Sequence, residues 1–277
     1  MKPAAFDYVR ADSSDEVAYH LGQFGDEARI LAGGQSLIPI LNMRLAQPAV
    51  LVDLSRSREM ADVLSTDTAL EIDAAVTQGR VQQRTNLKDE VPLLAMALPW
   101  ISHFQIRNRG TVCGSLAHAD PSAELPLVLC ALNGGVELVS SRSRRQVRAS
   151  EFFTGMLSTC RRPDEFLRRA RFPRAAAGQA FDFREFGLRH GDFAASAVAV
   201  VATRDSIRIA VGGVADKPAT REWPLLVGTA LDDALNDFAW DLDARSDPQV
   251  SATMRRHLVR KLGRQAVDTA VRRLEFT

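Results

Sequence analysis

The chain has 277 residues, 46% of them hydrophobic and 25% charged, and a formal net charge of +1. That length can bury a full core and suits two domains, while the near-zero charge gives no long-range field to draw in nucleic acid or an acidic membrane surface. No apolar run reaches the roughly 18–20 residues of a membrane span, and the opening MKPAAFDYVR lacks the apolar core of a signal peptide, so a cytoplasmic protein is expected.

In chain order, Ser13 reads as the N-cap of a first helix with Glu16 as its capping-box partner. Val17, Leu21 and Phe24 share one face of that helix, and Gly25 ends it. The stretch Arg29–Asp53 then reads as a βαβ unit. Ile30-Leu31-Ala32 is a short strand, Gly33-Gly34-Gln35-Ser36 a turn, and Leu37, Ile38, Leu41 and Leu45 the apolar face of a helix stopped by Pro48. Val50-Leu51-Val52 begins the second strand. Two glycines let the backbone take positive φ and let another group approach closely. The N–H groups freed there favour an anion, so the turn is either a phosphate cradle or a packing turn.

Leu70, Ile72, Ala74 and Val76 alternate with partners as in a half-buried strand, and Pro92–Leu98 reads as helix. Ile106–Pro121 fits neither period; its small and polar residues predict a loop suited to tight ligand contact. Asp120 or Ser122 caps a helix from Glu124 to Leu132, and Val136–Ser140 with Arg144–Arg148 forms a hairpin. Composition turns small and polar near 173–178, which places a domain boundary between residues 174 and 175. Residues 1–174 are then one domain and 175–277 a second. Phe181–Phe186, Asp192–Thr203 and Ser206–Val211 predict an antiparallel meander. Two helices follow, Leu231–Trp240 and Asp247–Leu274, the latter with Met254, Leu258, Leu262 and Val267 on one face. The arginine-rich stretches at 142–145 and 168–171 read as solvated faces. Cys113, Cys130 and Cys160 are far apart and form no CxxC or Cys/His cluster, so no zinc or iron–sulfur site is expected. An electron carrier here has to be organic or lie on a partner.

The loops AGGQS (Ala32–Ser36) and TVCGS (Thr111–Ser115), with flanking SLIPILNMR and LAHADPSAELP, resemble the flavin-binding middle subunit of the molybdenum hydroxylases. That family includes carbon monoxide dehydrogenase and xanthine dehydrogenase. IRNRGT (Ile106–Thr111), FREFGLRHGDFA (Phe183–Ala194), IAVGGVA (Ile209–Ala215) and MRRHLVRKL (Met254–Leu262) extend the resemblance, in order, over nearly the whole chain.

The resemblance implies an α+β fold. A two-part FAD-binding domain of the PCMH type, with a small βαβ lobe of about 1–55 and a mixed-sheet lobe of about 56–174, precedes a C-terminal domain of a three-stranded antiparallel sheet and helices. It implies FAD, gripped at its diphosphate by Leu31, Ala32, Gly33, Gly34, Gln35 and Ser36 from one side. Thr111, Val112, Cys113, Gly114 and Ser115 grip it from the other. Hydroxyls of Ser36, Thr111 and Ser115 can donate to phosphate oxygens. Glu124 is carried over as an acidic contact near the adenosine, or is a helix-start acid. Ile101 and Leu167 pack on the flavin or in the core, and His118 and Asp120 orient the cofactor or cap their loop. Asp192 and Phe193 fall beside the isoalloxazine, with Phe where many relatives have Tyr. Cys113 stands where relatives commonly have Gly; negative φ is expected there, with any left-handed conformation at Gly114. No catalytic residue and no metal ligand is expected in this chain.

The function so implied is electron transfer: FAD takes electrons from [2Fe-2S] clusters of a small partner, fed by a molybdopterin centre on a large partner, and passes them to an external acceptor. The assembly implied is a dimer of heterotrimers. A stand-alone PCMH-type flavin oxidoreductase is the alternative, although Gln35 or Ser36 occupies the place where several such oxidases attach FAD to histidine. A non-catalytic nucleotide-binding module is the third reading.

Overall fold

The computed structural model describes residues 2–275, so the outer limits expected for the two domains, Met1 and Thr277, lie outside the described residues. Ser13 Oγ accepts from the Glu16 N–H at 3.2 Å and starts the helix Ser14–Phe24 as expected. The Glu16 carboxylate accepts from Asp12 N–H at 2.7 Å, so the expected box closes one residue earlier than Ser13.

Strands β1 (Asp7–Arg10), β2 (Ala28–Leu31) and β3 (Val50–Asp53) form a parallel sheet in the order β1-β3-β2. With the helix Leu37–Asn42, β2 and β3 make the expected βαβ unit. The expected apolar face does not extend as far as Leu45. The helix ends at Asn42, and Arg44 at φ 57 turns the chain. Leu45 therefore lies beyond the helical period and is 73% exposed, while Leu41 alone of the helix is buried.

The second sheet contains β4 (Val63–Ser65), β5 (Ala69–Asp73), β6 (Gly135–Val139) and β7 (Arg144–Arg148). After a small ribbon of β8 (Phe153–Gly155) and β9 (Ser158–Thr159), β10 (Phe166–Pro173) completes it, in the order β4-β5-β10-β6-β7. Every pairing is antiparallel, which corrects the expected mixed sheet. Two hairpins, β4–β5 and β6–β7, are joined by β10 running antiparallel to one member of each. No parallel crossover is needed to close the sheet.

The third sheet has four strands rather than three: β11 (Ala180–Phe186), β12 (Ser196–Ala202), β13 (Ser206–Gly212) and β14 (Ala219–Pro224). The added edge strand, ATREWP, is mostly exposed and ends in proline, so it lacks the alternation that marks a half-buried strand. The second strand begins at Ser196, which leaves Asp192 and Phe193 outside the sheet. All of β12 is buried, and its two faces serve different cores. Ala197, Ala199 and Val201 join the core that contains the first two sheets. Val198, Val200 and Ala202 pack with the helices Gly228–Asp241 and Ala252–Leu274. Ser251 Oγ caps the last helix by accepting from Met254 N–H at 3.2 Å. Leu258, Leu262 and Val267 form its buried face, from which Met254 is excluded.

The helix Glu124–Ala131 is buried along its whole length and packs on β12 and β13. Its first residue, Glu124, is therefore carried inside the protein with almost no exposure to water.

Candidate functional site

A cavity of about 910 Å³ opens where the glycine turn, residues 110–124, the 188–195 segment and the start of the last helix meet. Every residue expected at the site lines it except Leu31 and Val112. Leu31 ends β2, and Val112 is fully buried, so both support the wall from behind.

The two glycines of the first turn do different things. Gly34 carries the positive φ, 71°, that turns the chain. Gly33 makes room: a Cβ there would lie 2.3 Å from the Arg109 carbonyl oxygen and 2.6 Å from Gly110 Cα. The turn thus rests directly on the backbone before Thr111. Among the described residues, the N–H groups of Gly33, Gly34, Gln35, Ser36 and Leu37 have no hydrogen-bond acceptor. Gln35 Nε2 donates to the Gly33 carbonyl at 2.9 Å, and the Ser36 hydroxyl makes no capping bond.

Thr111–Ser115 is not the expected loop. It opens the helix Val112–His118, with Thr111 Oγ1 accepting from Gly114 N–H at 2.9 Å as the N-cap. Cys113 has the expected negative φ, but Gly114 is helical too, and the nearest left-handed residue is Ala119 at φ 53. Gly114 is needed for closeness: a Cβ would sit 2.6 Å from Thr111 Oγ1. Its N–H is taken by the cap, so the Thr111 and Ser115 hydroxyls remain as donors on this side. Val112 N–H donates to the Val76 carbonyl at 3.1 Å, fixing the helix start to the second sheet. Burial pushes the Cys113 thiol up, next helped by the Asp73 charge, and the Sγ–H donates to the Ile72 carbonyl at 3.4 Å. A thiol so held is inert.

Glu124 is 7% exposed at the cavity wall. Burial raises its pKa to about 7; Asp120 adds to the rise, while its own backbone N–H and Arg107 oppose it. Glu185, on β11, is raised to about 8 by burial and then by the Glu124 charge. Asp120 Oδ1 accepts from Ser122 N–H at 2.8 Å and shapes the turn before the buried helix, whose N-cap position is Ala123. Ile101 and Leu167 are buried faces of the cavity, and Phe193 stands at its edge, 73% exposed.

The cavity also holds residues not expected from sequence. Gln78 donates from its backbone to the Gly110 carbonyl at 2.8 Å and from Nε2 to the Thr111 carbonyl at 3.4 Å. Arg29 and Arg161 line one end, and Asp247, Gln249 and Arg255 come from the last helix and the turn before it. Arg255 fell within a quoted motif, MRRHLVRKL, whereas Gln78, Arg29, Arg161, Asp247 and Gln249 stand in stretches without such a motif.

An extended cavity with five unsatisfied N–H groups, free hydroxyls and apolar faces fits a dinucleotide diphosphate carrying a flat ring, as in FAD. A family described as the FAD-binding domain in molybdopterin dehydrogenase matches residues 4–175. The chain is 40% identical to 6-hydroxypseudooxynicotine dehydrogenase complex subunit alpha of Paenarthrobacter nicotinovorans, over 74% of this chain and 69% of that one. It is 36% identical to the nicotine 6-hydroxylase medium subunit of the same organism, over 98% and 99%. Carbon monoxide dehydrogenase of Hydrogenophaga pseudoflava superposes with a TM-score of 0.92 at 28% identity, covering 99% of both chains. This chain therefore belongs to the FAD-binding middle subunits of the molybdenum hydroxylases, a family of oxidoreductases.

Proposed function

We propose that the chain carries FAD as an electron relay, between iron–sulfur clusters on a small partner and an external acceptor, with substrate oxidised at a molybdopterin centre on a large partner. The observation that carries this reading is the run of five unpartnered N–H groups from Gly33 to Leu37 on the wall of a cavity of about 910 Å³, room for a dinucleotide. FAD, when bound, supplies the exchange between two-electron and one-electron steps. The residues of this chain bind and orient it. Gly33–Leu37 N–H groups and the Ser36, Thr111 and Ser115 hydroxyls would hold the diphosphate, and Glu124 would accept from a ribose hydroxyl. Ile101, Leu167 and Phe193 would cover the ring and keep water from it. No acid, base or nucleophile is assigned, since the thiol of Cys113 is buried and bonded to a carbonyl.

Three further assignments belong to this reading: domains of 1–174 and 175–277, a dimer of heterotrimers, and a cytoplasmic location. The family match ending at residue 175 supports the first, and the subunit names of the relatives support a multi-chain assembly. Purification of the native assembly tests the relay. Two further chains, molybdenum and iron are expected to co-purify, and rapid mixing with substrate is expected to reduce iron–sulfur clusters no later than flavin. A yellow monomer that turns over substrate without molybdenum would contradict it.

A further inference from the structure

Residues 187–194 leave the third sheet as a flap between β11 and β12. Its base is closed where Ala195 N–H donates to the Phe186 carbonyl at 2.8 Å. The flap gives Leu188, Gly191, Asp192 and Phe193 to the cavity wall. Leu188 and Phe193 are both mostly exposed, so the flap has little core of its own. Its tip rests on the first domain. Gly191, at φ 88, lies against Ser102 and His103, and the His190 ring is 5.7 Å from that of Trp100.

Besides that bond, a buried side chain holds the base. Arg255, in the first turn of the last helix, is 5% exposed. Its guanidinium donates to the Ala195 carbonyl at 2.6 Å, to the Gly213 carbonyl and to the Asp247 carboxylate. Gly213, at φ 77, is needed where it stands: a Cβ would lie 2.6 Å from the Ala194 carbonyl oxygen. Its N–H donates to the Pro121 carbonyl at 2.7 Å, next to Asp120 on the cavity wall. Arg255 thus joins the flap base, the end of β13 and the 247 turn, and reaches the 120–121 loop through the Gly213 peptide. A buried guanidinium is a poor source of stability, since apolar groups of similar volume serve as well or better. What it adds is direction, because a rigid planar fork fixes several acceptors at once.

We propose that Arg255 is a positioning residue that clamps the base of the 187–194 flap, so that Asp192 and Phe193 stand at a fixed place on the edge of the cofactor cavity. The role toward the cofactor rests on the flavin reading above; the clamp itself does not.

The test uses the full-length protein as wild type, Arg255→Met and Arg255→Lys. Limited trypsin digestion without cofactor reads the flap directly, because Arg189 is exposed within it. Arg255→Met is expected to speed cleavage after Arg189 about tenfold, by raising the open population of the flap. Lysine, which still donates to carbonyls, is expected to restore most of the protection. On deflavinated protein, Arg255→Met is expected to weaken FAD about tenfold while ADP, which lacks the ring portion, stays within about twofold. Unchanged cleavage after Arg189 overturns the clamp. Faster cleavage at all sites together, with FAD and ADP weakened equally, also overturns it, since that marks a merely structural residue. A wild type that binds neither ligand, with the Arg189 difference intact, overturns the flavin reading and leaves the clamp standing.

Discussion

Gly33→Ala is expected to destabilise the protein by about 3 kcal/mol and to abolish retention of FAD. The added methyl meets backbone, the Arg109 oxygen at 2.3 Å and Gly110 Cα at 2.6 Å, so neither neighbour can rotate away. The βαβ turn has to lift off the 109–111 segment, and the two sides of the cavity separate together. Gly34→Ala is the control. There the methyl meets the side chains of Ile38 at 3.1 Å and Leu31 at 3.3 Å, which can shift, and the left-handed φ of 71° costs about 1–2 kcal/mol. Urea denaturation with flavin content after gel filtration separates the two variants. A smaller effect at Gly33 than at Gly34 would mean that contact between the two segments does not hold the cavity together.

Glu124→Gln is expected to reduce the pH dependence of stability of the deflavinated protein. Burial raises the folded-state pKa of Glu124 from 4.5 to about 7, so the folded chain prefers the protonated form. The stabilisation is full below pH 4.5, is lost as pH rises through about 7, and is flat above. Its size is roughly 3 kcal/mol from the separation of the two values, and Glu185, raised to about 8 chiefly by its own burial, adds a dependence of its own. The charges that face Glu124 are Asp120 and Arg107, with Glu185 completing the pair. The urea midpoint of the wild type is expected to fall from pH 5 to pH 8, and that of Glu124→Gln to fall by a smaller amount, since the buried Glu185 still titrates. Parallel profiles would show that Glu124 ionises in the fold without cost.

Local pattern made much of this fold legible. The βαβ unit, the 135–148 hairpin and both C-terminal helices follow from periodicity and caps that tertiary packing does not override. Three features were hidden for physical reasons. The helix Val112–His118 contains glycine and buries an apolar face of just Val112, Cys113 and Leu116, too short to stand out as a period, and its other sign was the Thr111 cap. Strand β14 is an exposed edge whose partner is set by β13 rather than by its own residues. The end of the flap, from Asp192 on, read as strand because Ala194 and Ala195 are as small and buried as the strand they precede.

At the site, the glycine turn was legible as a candidate because turn chemistry is local, yet the division of labour between Gly33 and Gly34 was not. It depends on Arg109 and Gly110, about 75 residues away in sequence. Gln78 was invisible for the same reason, since the Thr111 carbonyl it bonds is 33 residues away. Arg161 bonds nearby carbonyls, at 162, 163 and 165, and sits in no pattern that marks a ligand.

Titration of the deflavinated native protein with FAD, and separately with FMN, tests the central claim most directly. One FAD per chain is expected to bind, with FMN far weaker, because FMN lacks the diphosphate and adenosine that the Gly33–Leu37 N–H groups and Glu124 are assigned to hold. FMN binding as tightly as FAD, or no binding of either, would contradict the account.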